Sequence, residues 1–494
     1  MTTMTIPGLA VLGRPAADAA LRVAATALLG AADGWKRSKG ARLVDEVSTA
    51  LGAPDDSVSY LLLACLERRI PTSSEILDFT RDWRLQGLRK PLRASWSRAA
   101  ATPVPAQAGE VVVDSGIVID VTDTGRSRFT TGIQRVSRAT ITRWARDHDV
   151  SLVSWTLNGA RLVGSSDDEI SRVILDDAVR DRIVQHRDAF VVPFRATFVL
   201  PEITTESKRT WNIHTIARFS RSRSTAIGFD CIPVTTSETS GPGMPGAFSK
   251  YLAALSAFDA VGAISSAAAT EYGGWRRMLG GTGLEGPRVE TIALPWQTGD
   301  VADDVVESTR RELGLDDGLP IVLAVGSHEP RKNHLNLLAA AELNWRRGHD
   351  FHLVLVGGNA WGDGEFKTMV ANLRRVGRRI SLLSGVSDEI VWSLYRLARF
   401  SVFCSINEGF GLPVVESLAS GTPVLTSDFG SMRDLGEDNG AVLVSPHDIA
   451  AMAMSIGALL TDDALVSRLA QQADSLEHPS WDDYADAMWS LATE

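Results

Sequence analysis

The chain has 494 residues, 44% apolar and 22% charged, and its glycines and prolines together number 62. Such usage excludes a disordered, collagen-like or coiled-coil chain and, at ~150 residues per domain, leaves room for about three domains. The net charge of −10 is uneven, because residues 1–150 hold 20 basic and 16 acidic side chains and the remainder carries the excess acid. Three scattered cysteines, Cys65, Cys231 and Cys404, fit neither a disulfide framework nor a thiolate zinc cluster, and suit a reducing cytosol. No stretch approaches the ~18–20 uncharged apolar residues of a membrane helix, and the Ala-rich start, broken by Asp18 and Arg22, makes a poor signal peptide. A cytoplasmic protein is expected.

Residues 16–98 read as helices: Leu21, Ala24, Ala25 and Leu28 recur at helical spacing, as do Leu61, Leu62, Cys65 and Leu66. Thr72 with Glu75 reads as a capping box opening a further helix. The run 99–106 is a linker of small residues and prolines. From Val111 the texture changes to short β-branched runs, at 111–113, 117–119, 150–155, 189–192, 225–229, 261–264 and 289–292, with a helix starting after Gly132. From Ile321 strands (321–325, 351–356, 380–383, 400–405, 423–426, 442–444) alternate with helical patterns, the mark of βαβ units and a doubly wound parallel sheet. Two α/β segments in series predict two lobes facing a cleft.

Ligands of an open parallel sheet bind beyond the carboxyl ends of its strands. After 321–325 comes Ser327-His328-Glu329-Pro330-Arg331-Lys332-Asn333, where Asn333 can cap the next helix and Arg331 and Lys332 set two cations beside its N-terminus. That loop suits a diphosphate, or is simply a solvated basic pair. After 400–405 comes Asn407-Glu408-Gly409-Phe410-Gly411-Leu412-Pro413-Val414-Val415-Glu416. The glycines let the backbone approach a ligand, and Pro413 opens a helix whose first turn holds Glu416 against the helix dipole. A carboxylate there accepts from two ribose hydroxyls, and Glu408 reaches sugar hydroxyls. The bland alternative is a loop acid plus a dipole-stabilising acid. A third loop, Thr130-Thr131-Gly132-Ile133, is either an ordinary helix cap or a glycine turn at the cleft, and Arg135 and Arg138 behind it face the cleft or water.

The Glu408–Glu416 spacing resembles the Glu-x7-Glu signature of retaining glycosyltransferase family 4, and 325–333 resembles that family's phosphate loop. Ser384-Gly385-Val386-Ser387-Asp388-Glu389 is similar to its base-binding turn. The resemblance runs from about Val111 to the C-terminus and implies an α/β chain of GT-B fold: two Rossmann-like lobes with an all-helical N-terminal extension. The implied division is 1–106 (extension and linker), 107–298 (acceptor lobe), 299–476 (nucleotide-sugar lobe) and 477–494, a helix crossing back to the first lobe. It implies that Arg331 and Lys332 hold a diphosphate with Asn333 beside them, Glu416 the ribose, Val386 the base, and Glu408 with the Gly409, Phe410, Gly411 and Leu412 backbone the sugar. Gly132 belongs to the family's N-terminal glycine loop. Phe229 stands where many relatives carry His, leaving Asp230 as a candidate at the reacting sugar, with His214 a conceivable substitute.

The reaction expected is metal- and cofactor-independent, front-face transfer of a hexose from a nucleotide sugar such as GDP-mannose to a glycan or lipid-linked acceptor, as in bacterial polysaccharide synthesis. An epimerase of the same fold and a non-catalytic glycan-binding scaffold are the rival readings. Nucleic acid is not an expected partner. Six cations between Arg81 and Arg98, and six arginines without an acid between Arg126 and Arg146, suggest peripheral contact with an anionic membrane, or solvated basic faces.

Overall fold

The computed structural model describes residues 13–30, 35, 37–103, 109–127, 131–296, 299, 301–315, 318–358, 362–474 and 479–494. Thr130, residues 104–106 and the expected boundary residues 107, 298, 476 and 477 lie outside the described residues.

The N-terminal helices are α1 (Gly13–Leu29), α2 (Gly40–Ala50), α3 (Asp56–Glu67), α4 (Ser73–Gln86) and α5 (Arg89–Ala101). The capping box opens α4: the Thr72 hydroxyl accepts the Glu75 amide, and the Thr72 amide donates to Glu75 Oε2 at 2.8 Å. Helix α3 is buried from Ser57 through Leu66 save Val58, because it is apolar on every side and is packed from every side. One of its neighbours is the first sheet. Tyr60 donates to the Pro193 carbonyl at 3.3 Å and Arg68 to that of Gly109 at 2.7 Å. A single apolar cluster runs from Ala20 of α1 through Leu63 of α3 into Phe190 and Val192 of the sheet, so extension and first lobe share a core.

That sheet has nine strands: β1 (Val111–Asp114), β2 (Ile117–Asp120), β3 (Val150–Trp155), β4 (Leu162–Gly164), β5 (Phe190–Pro193), β6 (Thr197–Leu200), β7 (Arg223–Gly228), β8 (Ala260–Ala263) and β9 (Arg288–Thr291). Their order is β1-β5-β4-β3-β2-β6-β7-β8-β9, parallel except where β4 runs against β3 and β5. Strands β4 and β6 are additions to the sequence reading. The first is three residues ending in glycine, too short for a periodic signal, whereas Thr197–Leu200 before Pro201 is a four-residue run of β-branched, aromatic and aliphatic side chains.

The second sheet is β10 (Ile321–Val325), β11 (His352–Val356), β12 (Ile380–Leu383), β13 (Phe400–Phe403), β14 (Val424–Ser427) and β15 (Ala441–Val444), all parallel, in the order β12-β11-β10-β13-β14-β15. Numbered within the lobe this is 3-2-1-4-5-6, the doubly wound topology whose strand order reverses between its first and fourth strands, here β10 and β13. A ligand crevice is expected at that point.

The terminal helix Trp481–Thr493 returns to the first lobe. It packs on α6–α7, of which α6 is Thr122–Arg126 and α7 Gly132–Asp147, through α7: Trp144 donates to the Ala485 carbonyl at 2.8 Å, and His148 stacks on Trp489. The helix also binds Arg143 through Asp482 at 2.5 Å. Of the second basic stretch, Arg126 lies by Glu169, Arg135 binds Glu416, and Arg143 and Arg146 bind Asp482, so these four arginines are paired with acids of the fold. Between Arg81 and Arg98 the cations remain exposed. Among the described residues no single helix is long and apolar enough to cross a membrane.

Candidate functional site

The loops after β10 and β13 meet at the switch point. In the first, Pro330–Lys332 forms a single 3-10 turn and Asn333 adopts φ +61°, a left-handed conformation that asparagine tolerates. Asn333 does not cap the following helix, His334–Arg346, as its type suggested; its Nδ2 donates instead to the Cys404 and Pro446 carbonyls at 3.0 and 2.7 Å. The side chain thereby ties the phosphate-type loop to the end of β13. Arg331 and Lys332 are turned toward the second loop.

There they grip one carboxylate. Arg331 Nη1 lies 2.6 Å from Glu408 Oε2, and Lys332 Nζ lies 2.6 Å from Oε1. The three side chains keep only 17, 12 and 10% of their surface, in the order Arg331, Lys332, Glu408. Glu329 binds the other side of Arg331 at 2.7 Å, and Lys332 also stands over the Phe403 ring. Burial alone would raise the Glu408 carboxyl, but Arg331 and Lys332 overcome it and hold the group at about 2. Burial pulls the Lys332 ammonium below its ordinary value against the opposing pull of Glu408. Asp230, at the end of β7, completes the cluster from the first lobe: burial pushes it up to about 6, with Arg331 opposing and Glu271 and Glu408 adding.

Gly409 is one of the points where the lobes touch. A Cβ there would sit 2.4 Å from the Phe229 carbonyl and 3.2 Å from Asp230 Cβ, so only glycine permits this approach. The Ser265 hydroxyl donates to the Gly409 carbonyl at 2.5 Å, and Phe410 is buried in the first-lobe core beside Phe229. Gly411 takes φ +106° ahead of the helix Leu412–Ala419, a conformation that favours glycine. Glu416 is the fifth residue of that helix, one past the opening turn in which the sequence placed it. Its partners are side chains instead of the helix end: Arg135 Nη1 donates to Oε1 at 2.6 Å and the Tyr395 hydroxyl to Oε2 at 3.2 Å. Gly132 opens α7 with its missing side chain toward Leu412, 3.6 Å from a built Cβ.

The structure thus brings Arg331, Lys332, Glu408, Gly409 and Asp230 into one cluster, with Glu416, Leu412 and Gly132 along the adjoining helix end. Val386 stands at the carboxyl end of β12 at the same edge of the sheet, packed with Trp392. His214 lies beside Trp211 on the helix Ser207–Phe219. Three participants escaped the sequence reading: Tyr395, and the pair Glu271 and Thr235, which bind Asn407 Nδ2 across the lobes at 3.1 and 3.5 Å. None carries a local motif; each is placed by the fold.

Comparison with known proteins agrees with this geometry. Residues 305–475 match the family model described as "Glycosyl transferases group 1". Over 133 residues, 26% of this chain, the sequence is 32% identical to the serotype-specific mannosyltransferase WbdA of Escherichia coli, of which that stretch is 16%. Over 200 residues, 39% of this chain, it is 34% identical to D-inositol 3-phosphate glycosyltransferase of Corynebacterium efficiens, of which it covers 47%. The chain therefore spans less than half the length of either relative. Among solved structures, HepE of Anabaena in complex with UDP-glucose superposes with a TM-score of 0.56 at 14% identity, over 76% of this chain and 98% of that one. The second lobe is a glycosyl transferases group 1 domain, and the two lobes together make a GT-B fold.

Proposed function

We propose that the protein is a retaining glycosyltransferase that moves a hexose from a nucleoside diphosphate sugar to a glycan or lipid-linked acceptor on the cytoplasmic side of a membrane. The observation that carries this reading is the Arg331–Glu408–Lys332 cluster at the β10/β13 switch point. Two buried cations there share the Glu408 carboxylate, with Glu329 on the other side of Arg331, and a donor diphosphate offers them a further anion. Glu416, 8 residues beyond Glu408, takes the ribose, and Val386 the base. Mannose carried on GDP is the donor we favour, since WbdA is named a mannosyltransferase.

Front-face attack is the mechanism the electrostatics favour. A carboxylate that two cations hold at about 2 is a poor nucleophile, and Asp230, pushed up to about 6, keeps its proton more readily than an ordinary aspartate. The bond from the anomeric carbon to the diphosphate oxygen breaks while the acceptor oxygen bonds on the same face. The acceptor's proton passes to the departing diphosphate, whose charge Arg331 and Lys332 stabilise. These cations supply the positive charge, and the reaction as proposed uses no metal.

GDP-, UDP- and dTDP-sugars tested by thermal shift should single out one base, because a ligand of the folded state alone raises its apparent stability. Lys332→Ala should lower turnover by ~10²–10³-fold. Absence of any shift would leave a scaffold, and sugar inversion without an acceptor would indicate an epimerase; either result would sink the transferase reading. The exposed cations of Arg81–Arg98 are the face we assign to an anionic leaflet. Each such charge near the surface contributes ~1 kcal/mol, so sedimentation with phosphatidylserine vesicles should exceed that with neutral ones, and equal sedimentation would exclude the contact.

A further inference from the structure

Glu416 is already occupied. Its carboxylate has two oxygens, one bound by Arg135 from the first lobe at 2.6 Å and the other by Tyr395 at 3.2 Å. A vicinal diol is held best by both oxygens of a carboxylate, so a ribose reaching Glu416 competes with Arg135, its partly exposed partner, for Oε1. The Arg135 side chain keeps 34% of its surface, and its ion-pair partner is Glu416. Once displaced, the guanidinium needs another anion.

One is at hand. Arg135 sits one helical turn after Gly132 on α7, and Gly132 abuts Leu412 at the start of the helix that carries Glu416. Arg135 reaches across the lobes to the helix that follows the Glu408 loop, and Glu408 is the partner of Arg331 and Lys332. A guanidinium matches phosphate oxygens with paired hydrogen bonds, which an ammonium does not. We propose that Arg135 is a donor-positioning residue that changes partner: it holds Glu416 in the nucleotide-free protein, and it moves to the donor's diphosphate when a ribose takes Glu416. This inference rests on the nucleotide-sugar reading above and adds a specific exchange to it. The two hydroxyls and the diphosphate must arrive on one molecule for the exchange to complete. A free sugar phosphate or a bare nucleoside satisfies half of it.

The exchange makes opposite demands on two halves of the ligand, and this separates it from a structural role. GDP and UDP serve as diphosphate probes, guanosine and uridine as nucleoside probes, with dissociation constants read by ligand-observed NMR on the full chain. The variants are Arg135→Ala and Arg135→Lys. For the base that the wild type accepts, Arg135→Ala should bind the diphosphate at least about tenfold more weakly, the scale of a lost hydrogen bond to a charged group. It should bind the nucleoside no more weakly, and about threefold more tightly as competition for a partly exposed ion pair is relieved. Arg135→Lys should recover part of the diphosphate affinity and, as a shorter reach to Glu416, keep the nucleoside gain. Equal weakening of both probes, or no change in either, would overturn the exchange while leaving the transferase reading intact. Failure of the wild type to bind either diphosphate would overturn both, and that outcome is read before any variant is made.

Discussion

Glu408→Gln is expected to abolish transfer and, in the absence of nucleotide, to lower the melting temperature. The substitution keeps shape and removes charge, so Arg331 and Lys332, both largely buried, face each other with no anion between them. Breaking a buried pair on one side costs about 3–5 kcal/mol, and the lower figure applies here because Glu329 remains on Arg331. A diphosphate supplies the missing charge, so added nucleoside diphosphate should stabilise the variant more than the wild type. Turnover should fall by at least ~10²-fold, because the amide cannot accept from a sugar hydroxyl while ordering two cations. The acid limb of stability gives an independent reading. Glu408 is held at about 2 in the folded chain against an ordinary 4.5, so its contribution is complete above 4.5 and drains away as pH falls toward 2. Circular-dichroism melts between pH 3 and 7 should therefore fall less steeply for the variant. A variant that melts with the wild type throughout, or that turns over normally, would mean the cluster neither stabilises the nucleotide-free protein nor serves the chemistry.

The second lobe was largely legible in the sequence because its strands are short, doubly buried and separated by regular helices. Ile321–Val325 and Ile380–Leu383 carry the same bounds in sequence and structure. The meeting of Arg331 and Lys332 with Glu408 could be anticipated, since two βα loops at the ends of adjacent parallel strands are neighbours by topology alone. Finer placements depended on partners the local sequence does not display. Asn333 has the residue type of a cap, yet its carbonyl partners belong to residues 71 and 113 positions away, and they win. The ion pair of Arg135 with Glu416 spans 281 positions. Arg126, Arg135, Arg143 and Arg146 read as part of a basic face because the acids they meet stand on other elements, Glu169, Glu416 and Asp482. The helical extension was visible as helices, but its union with the first lobe rests on Tyr60 and Leu63 meeting strand β5, a contact no periodicity announces.

Arg209→Met should be the most destabilising single change in the first lobe. Arg209, on the helix Ser207–Phe219, is 2% exposed and answers three acids at once: Asp120 at 3.0 Å, Asp123 at 2.6 Å and Glu202 at 2.5 Å. Asp120 ends β2 and also accepts from Trp155 Nε1 at 2.7 Å, while Glu202 accepts the amides of Asp123 and Thr124 at 2.8 Å each. The network therefore fixes α6, the element that leads toward Gly132 and the cleft. Methionine fills the volume and leaves the acids without a cation, two of them 0 and 1% exposed, for a loss on the order of 3–5 kcal/mol. The loss should depend on pH in a direction opposite to that of Glu408. Burial pushes Glu202 up to about 7, with Arg209 pulling down and Asp123 and Asp120 pushing up. A carboxyl raised in the folded state contributes fully below its ordinary 4.5, and the contribution is lost as pH rises toward about 7. Without Arg209 the downward pull disappears, so the variant should lose more at pH 8 than at pH 5. Adding Glu202→Gln should return part of the stability by removing one stranded charge. Circular-dichroism melts at pH 5 and pH 8 read the transition. A single variant that melts within a degree or two of the wild type at pH 8, or a loss that is the same at both pH values, would show that the guanidinium is not what holds these acids in the folded lobe.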